Sequence, residues 1–260
     1  MSRKSMIVTL LLTSLSLSCS HQSDTGDTPV YGYRIVKTYP HRNNAFTQGL
    51  VFAEDGTLYE STGEYEGRST ISRIDLKSGK VKTYIHLPDH LFGEGITIFN
   101  GKVYQLTWQE GIGFVYDLET FDLIKKWTYD TEGWGLTHDG THLIMSDGSA
   151  VLHWLDPNSL ETIKSFTVTD QNSPIDSLNE LEYINGRIYA NIWQTERVAI
   201  IEPNSGQVEA YLDLTGLKAR HPYGDVLNGI AYDPQTKRLL VTGKDWSEMY
   251  AIEMVLPGSD

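Results

Sequence analysis

The sequence predicts an all-β fold, specifically a five-bladed β-propeller whose ring is closed by an N-terminal strand. Three observations support this. A hairpin pattern recurs at intervals of 40 to 49 residues. Asp-Gly or Asn-Gly stands at the turn of most copies. The composition combines 15 Tyr, 6 Trp and 23 Gly with few helix-like apolar periods, which suits short strands and tight turns. At 260 residues the chain has ample length to bury a core.

The N-terminal segment stands apart from this pattern. Arg3 and Lys4 precede the apolar run MIVTLLLTSLSL, about the length of a signal-peptide core and short for a membrane span. The run ends in Leu17-Ser18-Cys19-Ser20, similar to a bacterial lipoprotein cleavage site, although Ser16 stands where that site usually has leucine. We therefore expect residues 1–18 to be a signal peptide, Cys19 to be lipidated, 19–30 to be a polar tether and 31–260 to form one propeller domain. The expected location is exported, either periplasmic or held at a membrane by the anchor. Cys19 is the single cysteine, so disulfides and cysteine zinc sites are excluded from the mature domain. A net charge of −13, from 21 basic and 34 acidic side chains, repels phosphate backbones and argues against a nucleic-acid partner.

The repeats begin at residue 45. QGLVFAEDGTLYES, EGITIFNGKVYQLT, WGLTHDGTHLIMSD and NELEYINGRIYANI each read as two alternating strands around a two-residue turn, and NGIAYDPQTKRLLVTG has a longer one. Their frames start at Gly49, Gly95, Gly135, Glu180 and Gly229. Third and fourth strands follow in STISRIDLKSGKVKTYIHL, FVYDLETFDLIKKWTY, VLHWLDPNSLETIKSFTV and VAIIEPNSGQVEAYLDL, each with an acid opening the intervening turn. The fifth unit ends after MYAIEMVL without an outer strand, and YGYRIVKTYP at 31–40 is the expected donor.

First strands of propeller blades line the axis, so equivalent positions form rings at one mouth. One ring holds Gln48, Glu94, Trp134, Asn179 and Asn228; the position after the second strands holds Gly63, Trp108, Gly148, Trp193 and Lys244. Blades with the same packing task should carry similar residues, and these do not. The pattern predicts an asymmetric pocket with Trp108, Trp134 and Trp193 as walls and Gln48, Glu94, Asn179 and Lys244 as polar groups. Asn228 reads as a turn residue. Glu94, between Gly93 and Gly95 in an apolar run, reads either as a general acid/base of raised pKa or as an acceptor for strand-end hydrogen bonds in the axial tunnel.

Other motifs are weaker. His138 and His142 have metal-pair spacing but flank the Asp139-Gly140 turn, Gly111-Ile112-Gly113 lacks the rest of a dinucleotide fingerprint, and no G-x-S-x-G elbow occurs.

Eight stretches together resemble one family. FTQGL from Phe46, FGEGI from Phe92, QLTW ending at Trp108, EGWGLT containing Trp134, LNELEY containing Asn179, NIW ending at Trp193, LNGIAY from Leu227 and VTGKDW containing Lys244 are similar to the glutaminyl cyclases of plants and bacteria. The resemblance spans residues 32–254 and implies a five-bladed propeller that turns an N-terminal glutaminyl residue into pyroglutamate with release of ammonia. It implies no cofactor and no catalytic metal. Glu94 is the expected proton shuttle, Lys244, Gln48 or Asn179 the expected oxyanion donors, and the three Trp the substrate clamp. Expected partners are peptides or proteins bearing N-terminal glutamine, with the protein monomeric and touching a membrane only through a lipid. The competing readings are a non-catalytic peptide-binding propeller and a metal-dependent lactonase-type propeller.

Overall fold

The structure is a computed structural model that describes residues 26–256; the expected signal peptide and Cys19 lie outside the described residues. The described chain is all-β, with one 3-10 turn at Lys218–Arg220 and no α-helix. Strand β1, Val30–Pro40, precedes a sheet of β2 (Thr47–Phe52), β3 (Leu58–Thr62), β4 (Thr70–Asp75) and β5 (Lys80–His86). The second sheet contains β6 (Gly93–Phe99), β7 (Lys102–Thr107), β8 (Ile112–Asp117) and β9 (Leu123–Thr128). The third contains β10 (Leu136–His138), β11 (Leu143–Ser146), β12 (Val151–Leu155) and β13 (Thr162–Thr167), followed by a small ribbon of β14 (Thr169–Asp170) and β15 (Ser173–Pro174).

The remaining strands join in an eight-stranded sheet. Its halves are β16 (Leu178–Ile184) to β19 (Val208–Asp213), through β17 (Arg187–Ile192) and β18 (Arg197–Ile201), and β20 (Leu227–Asp233), β21 (Arg238–Gly243) and β22 (Glu248–Val255). β1 completes the second half, running antiparallel to β22 from Gly32 opposite Val255 to Pro40 opposite Glu248. At Val30 and Tyr31 it also pairs parallel with β19 and so links the halves. The donor strand expected from the sequence is thus in place. Along the inner edge β2 packs on β6, β6 on β10, β10 on β16, β16 on β20, and β20 returns to β2.

Apolar clusters fill the gaps between neighbouring sheets. Ile71, Leu91 and Phe114 belong to the one between the first and second sheets; Leu50, Leu58, Leu240 and Met249 belong to the one that brings the last strands back against the first. Two turn types make the hairpins. Asn100-Gly101 and Asn185-Gly186 have positive φ at both residues and close two-residue loops, as expected. The Asp-Gly loops are wider than the two residues expected, because only Gly56 and Gly140 take positive φ. Their aspartates accept backbone N–H bonds instead: Asp55 from Thr57 at 2.8 Å, Asp139 from His142 at 2.7 Å.

The inner strands carry bulges at matching places. The pairing register shifts around Gln48 in β2, Glu94 and Gly95 in β6, Asn179 and Glu180 in β16, and Asn228 and Gly229 in β20. A bulge leaves local backbone groups without ladder partners. Glu180 supplies two of them: its Oε1 accepts Leu50 N–H at 3.1 Å and its Oε2 accepts Ile230 N–H at 2.8 Å, tying β16 to β2 and β20. Two residues further along β16, Glu182 accepts the Tyr232 N–H at 2.8 Å.

These buried acids make stability depend on pH. Burial pushes the Glu182 carboxyl up to about 8 against its hydrogen bonds, and burial together with the Glu182 charge raises Glu180 as well. A glutamate in the unfolded chain titrates near 4.5, so the stability contributed by Glu182 is fully present below that pH and is lost as pH rises through about 8. Glu182→Gln is expected to flatten the fall in Tm between pH 6 and pH 9, followed by scanning calorimetry. A fall as steep as in the parent protein rules Glu182 out as its source.

Candidate active site

The bulged ends of the inner strands all face one mouth of the ring, where one residue after another is aimed into a shared cavity. The cavity holds about 230 Å³ and is lined by Phe46, Gln48, Phe92, Glu94, Trp108, Trp134, Asn179, Trp193, Asp225 and Lys244. All seven residues predicted for catalysis or substrate binding meet there. The two rings inferred from the repeats are held together by one recurring backbone bond: Gly63 N–H donates to Phe46, Trp108 N–H to Phe92, Trp193 N–H to Ser177 and Lys244 N–H to Val226, at 2.8 to 3.0 Å.

Glu94 is 4% exposed, at the floor of the cavity. Its glycine neighbours answer to crowding. A Cβ on Gly95 would stand 2.5 Å from the Trp134 carbonyl oxygen, the atom that accepts the Gly95 N–H at 2.7 Å. Gln48 donates from Nε2 to Glu94 Oε1 at 2.9 Å. Burial pushes the Glu94 carboxyl well above the ordinary carboxylate range; Lys244 opposes this, and Glu132 and Glu110 reinforce it. Burial likewise lowers Lys244, with Glu94, Asp225 and Asp245 acting against the shift. The Lys244 Nζ sits 4.6 Å above the centre of the Phe46 ring.

The aromatic wall is made of two groups of touching rings. Trp134 and Trp193 meet edge to face with centroids 5.4 Å apart, Phe92 lies 5.6 Å from Trp108, and Phe46 lies 6.2 Å from Phe92. Glu132 holds two of the tryptophans with one oxygen: its Oε2 accepts Trp108 Nε1–H at 2.7 Å and Trp134 Nε1–H at 2.9 Å.

Sequence reasoning overlooked Phe46, Phe92 and Glu132. Each stands two residues before a predicted site residue, Gln48, Glu94 and Trp134 respectively. A third ring was therefore present in the repeat frame. Asp225, in the segment before β20, has no counterpart in that frame. Asn228, expected in a turn, is instead in β20 and fully buried, because the bulge there turns it inward.

A larger open cleft of about 930 Å³ lies at the opposite strand ends, among Glu54, Arg73 and His138. Arg73 there is already committed to the carbonyls of Leu118 and Glu119. His142 lies beside Asp139, its Nδ1 3.5 Å from Oδ2, across the expected turn. Among the described residues no group of three His, Cys, Asp or Glu is arranged to hold a metal.

Residues 7–254 match the family described as "Glutamine cyclotransferase". The chain belongs to the glutamine cyclotransferase family. It is 39% identical over 226 residues to a glutaminyl-peptide cyclotransferase of Arabidopsis thaliana, covering 85% of this chain and 70% of that protein. The crystal structure of the Myxococcus xanthus glutaminyl cyclase superposes with a TM-score of 0.82 at 33% identity, covering 88% of this chain and 99% of that one. The family resemblance noted in the sequence thus holds.

For this cyclotransferase-family cavity, the approach of β6 to Trp134 is a hard constraint. Gly95→Ala is expected to cost about 3 kcal/mol or more by forcing that contact apart, measured by urea denaturation. A loss under ~1 kcal/mol means the strands separate easily.

Proposed function

We propose that this chain is a five-bladed β-propeller enzyme, a glutaminyl-peptide cyclotransferase that converts N-terminal glutaminyl residues to pyroglutamate and ammonia by general acid/base catalysis at Glu94. The observation that carries this reading is a buried carboxylate of raised pKa at the floor of a tryptophan-walled cavity small enough to select one side chain. Nucleophile and electrophile belong to the same residue, so the protein need only fold the glutaminyl group on itself and move protons.

The amine nitrogen attacks the γ-carbon and forms the lactam C–N bond. Glu94 takes the proton that this nitrogen sheds. Negative charge collects on the γ-oxygen, where Lys244 and the Asn179 amide are the donors left free by a Gln48 already bonded to Glu94. As the tetrahedral species collapses, Glu94 returns its proton to the departing nitrogen, the second C–N bond breaks and ammonia leaves. Asn179 lines the cavity, and its buried Oδ1 has no hydrogen-bond partner among the described residues. Trp108, Trp134 and Trp193 enclose the aliphatic chain and keep out water that would hydrolyse the amide.

Residues 1–18 fit an export signal, Cys19 a lipid attachment point and 19–30 a tether, a reading supported by Arg3, Lys4 and the apolar run after them. The domain acts as a monomer on peptide termini in this reading.

In the deciding experiment, a short peptide beginning with glutamine is incubated with the protein in chelator while ammonia and peptide mass are followed. Release of one ammonia per peptide is expected. Glu94→Gln should fold normally and lose several orders of magnitude in kcat; near-normal turnover sinks the assignment. Binding of the peptide by the wild-type protein without ammonia would favour a binding module instead. Glu132→Leu frees both indole N–H groups and should raise KM about tenfold, some 1.4 kcal/mol of binding, with kcat less affected. An unchanged KM would show that the tryptophans hold their places without it.

A further inference from the structure

The hydrogen bond from Gln48 to Glu94 has a direction, and the direction has a source. A glutamine amide can offer either N–H or C=O to a neighbour, and its polarity follows from what holds the other end. Here that end meets Asn228, which is fully buried. Asn228 Nδ2 donates to the Thr47 carbonyl at 3.1 Å and to Gln48 Oε1 at 3.1 Å. A backbone carbonyl can only accept. Turning Asn228 over would set its own oxygen against two acceptors, so the Thr47 carbonyl fixes Asn228, and Asn228 then fixes Gln48.

The backbone supports this arrangement. Asn191 Oδ1 accepts the N–H of Gly229 at 3.0 Å, which secures the bulge that presents Asn228. Asn228 Oδ1 is buried and has no partner among the described residues. Leaving a buried acceptor unpaired is costly, so the position is explained by its two donated bonds.

We propose that Asn228 is a positioning residue for proton transfer at Glu94: anchored on the Thr47 carbonyl, it holds the Gln48 amide so that Gln48 donates to Glu94 Oε1 and leaves Oε2 to exchange protons with substrate. This rests on the cyclotransferase reading above and adds a residue and a direction to it. With Oε1 committed as an acceptor, the proton taken from the attacking amine resides on Oε2, and from there it passes to the leaving nitrogen. A donated bond to Oε1 also favours the ionised carboxyl, which keeps the base available in a setting whose burial opposes ionisation.

The test is a double-mutant cycle of Asn228→Ala and Gln48→Leu, read as the pH dependence of kcat/KM and, without substrate, as the infrared titration of the Glu94 carboxyl with Glu94→Gln as blank. The charged and titratable groups that face Glu94 are Lys244, Glu132, Glu110, Tyr65 and Tyr129, and all are unchanged across the cycle. The substrate amine titrates identically in every variant.

Asn228→Ala is expected to move the rising limb upward by about one pH unit and lower kcat roughly tenfold with little change in KM, the size of effect that one lost charge-assisted bond produces. Gln48→Leu should do the same, and the double variant should match Gln48→Leu alone. An unshifted limb in Asn228→Ala, or a shift retained in full in the Gln48→Leu background, overturns the proposal. Should the alanine variant not fold, Asn228→Ser carries the same test, since one hydroxyl cannot serve both acceptors. Protein that releases no ammonia but shows the infrared shift would refute the cyclotransferase reading while leaving the amide polarity intact.

Discussion

Everything at the mouth of this ring depends on how closely the inner strands approach each other. A Cβ at Gly135 would lie 2.0 Å from the Asn179 carbonyl oxygen, and one at Gly49 would lie 2.6 Å from the Ile96 nitrogen. Strands this close cannot all keep regular pairing with their own sheets, and the bulges are where they give way. The orphaned N–H groups of Leu50 and Ile230 then need an acceptor in a place water does not reach. Glu180 is that acceptor, at the one position of the repeat frame where four other copies carry glycine.

The bulges that make the ring close also build the site. A bulge adds a residue and re-aims its side chain, so Gln48, Glu94, Asn179 and Asn228 point inward where a regular strand would have alternated them away. Gln48, Glu94, Asn179 and Asn228 therefore sit on strands, which holds them without reliance on loops. Trp108, Trp193 and Lys244 stand just past the ends of β7, β17 and β21, and Trp134 just ahead of β10, where its N–H bond to the Ser146 carbonyl at 3.0 Å supplies the anchoring that a strand would have given. The Glu132 carboxylate completes the arrangement by holding Trp134 and Trp108 at a fixed mutual angle.

Much of this was legible in the residues because repetition turns sequence position into spatial position. The frame that aligns Gly49, Gly95, Gly135, Glu180 and Gly229 picks out seven side chains, and all seven line one cavity. What escaped it was of two kinds. Phe46, Phe92 and Glu132 lay in the frame, two residues upstream, but aromatic and acidic side chains at a strand entrance carry no chemical signature of their own. Asn228 was visible yet misjudged, and Glu180 was given no role, because both roles come from hydrogen bonds to Thr47, Gln48, Leu50 and Ile230, partners between 50 and 181 residues away and set by bulges that composition does not reveal. The Asp-Gly loops erred for a local reason: the aspartate spends its carboxylate on capping N–H groups and so stays out of positive φ.

Four buried glutamates show how environment assigns a task to one chemical group. Glu60 is wholly buried, yet His41 at 2.6 Å and Arg42 at 2.8 Å outweigh that burial and hold it ionised, its pKa lowered to about 2. A carboxylate so strongly paired has no proton affinity to use near neutral pH. Glu180 and Glu182 are raised by burial, but both oxygens of Glu180 are taken by backbone N–H groups, and Glu182 lies toward the opposite strand ends, bonded to Tyr232. Glu94 differs from all three. It is raised by burial, only partly offset by Lys244, and bonded through one oxygen to a neutral amide. Its carboxyl also lines the tryptophan-walled cavity, whereas Glu182 lines a separate one with His138 and Tyr232. Proton transfer needs both a raised proton affinity and an oxygen open to the substrate's cavity; burial alone nominates three residues here, but Glu180 has both oxygens taken and Glu182 faces the opposite strand ends, which leaves Glu94.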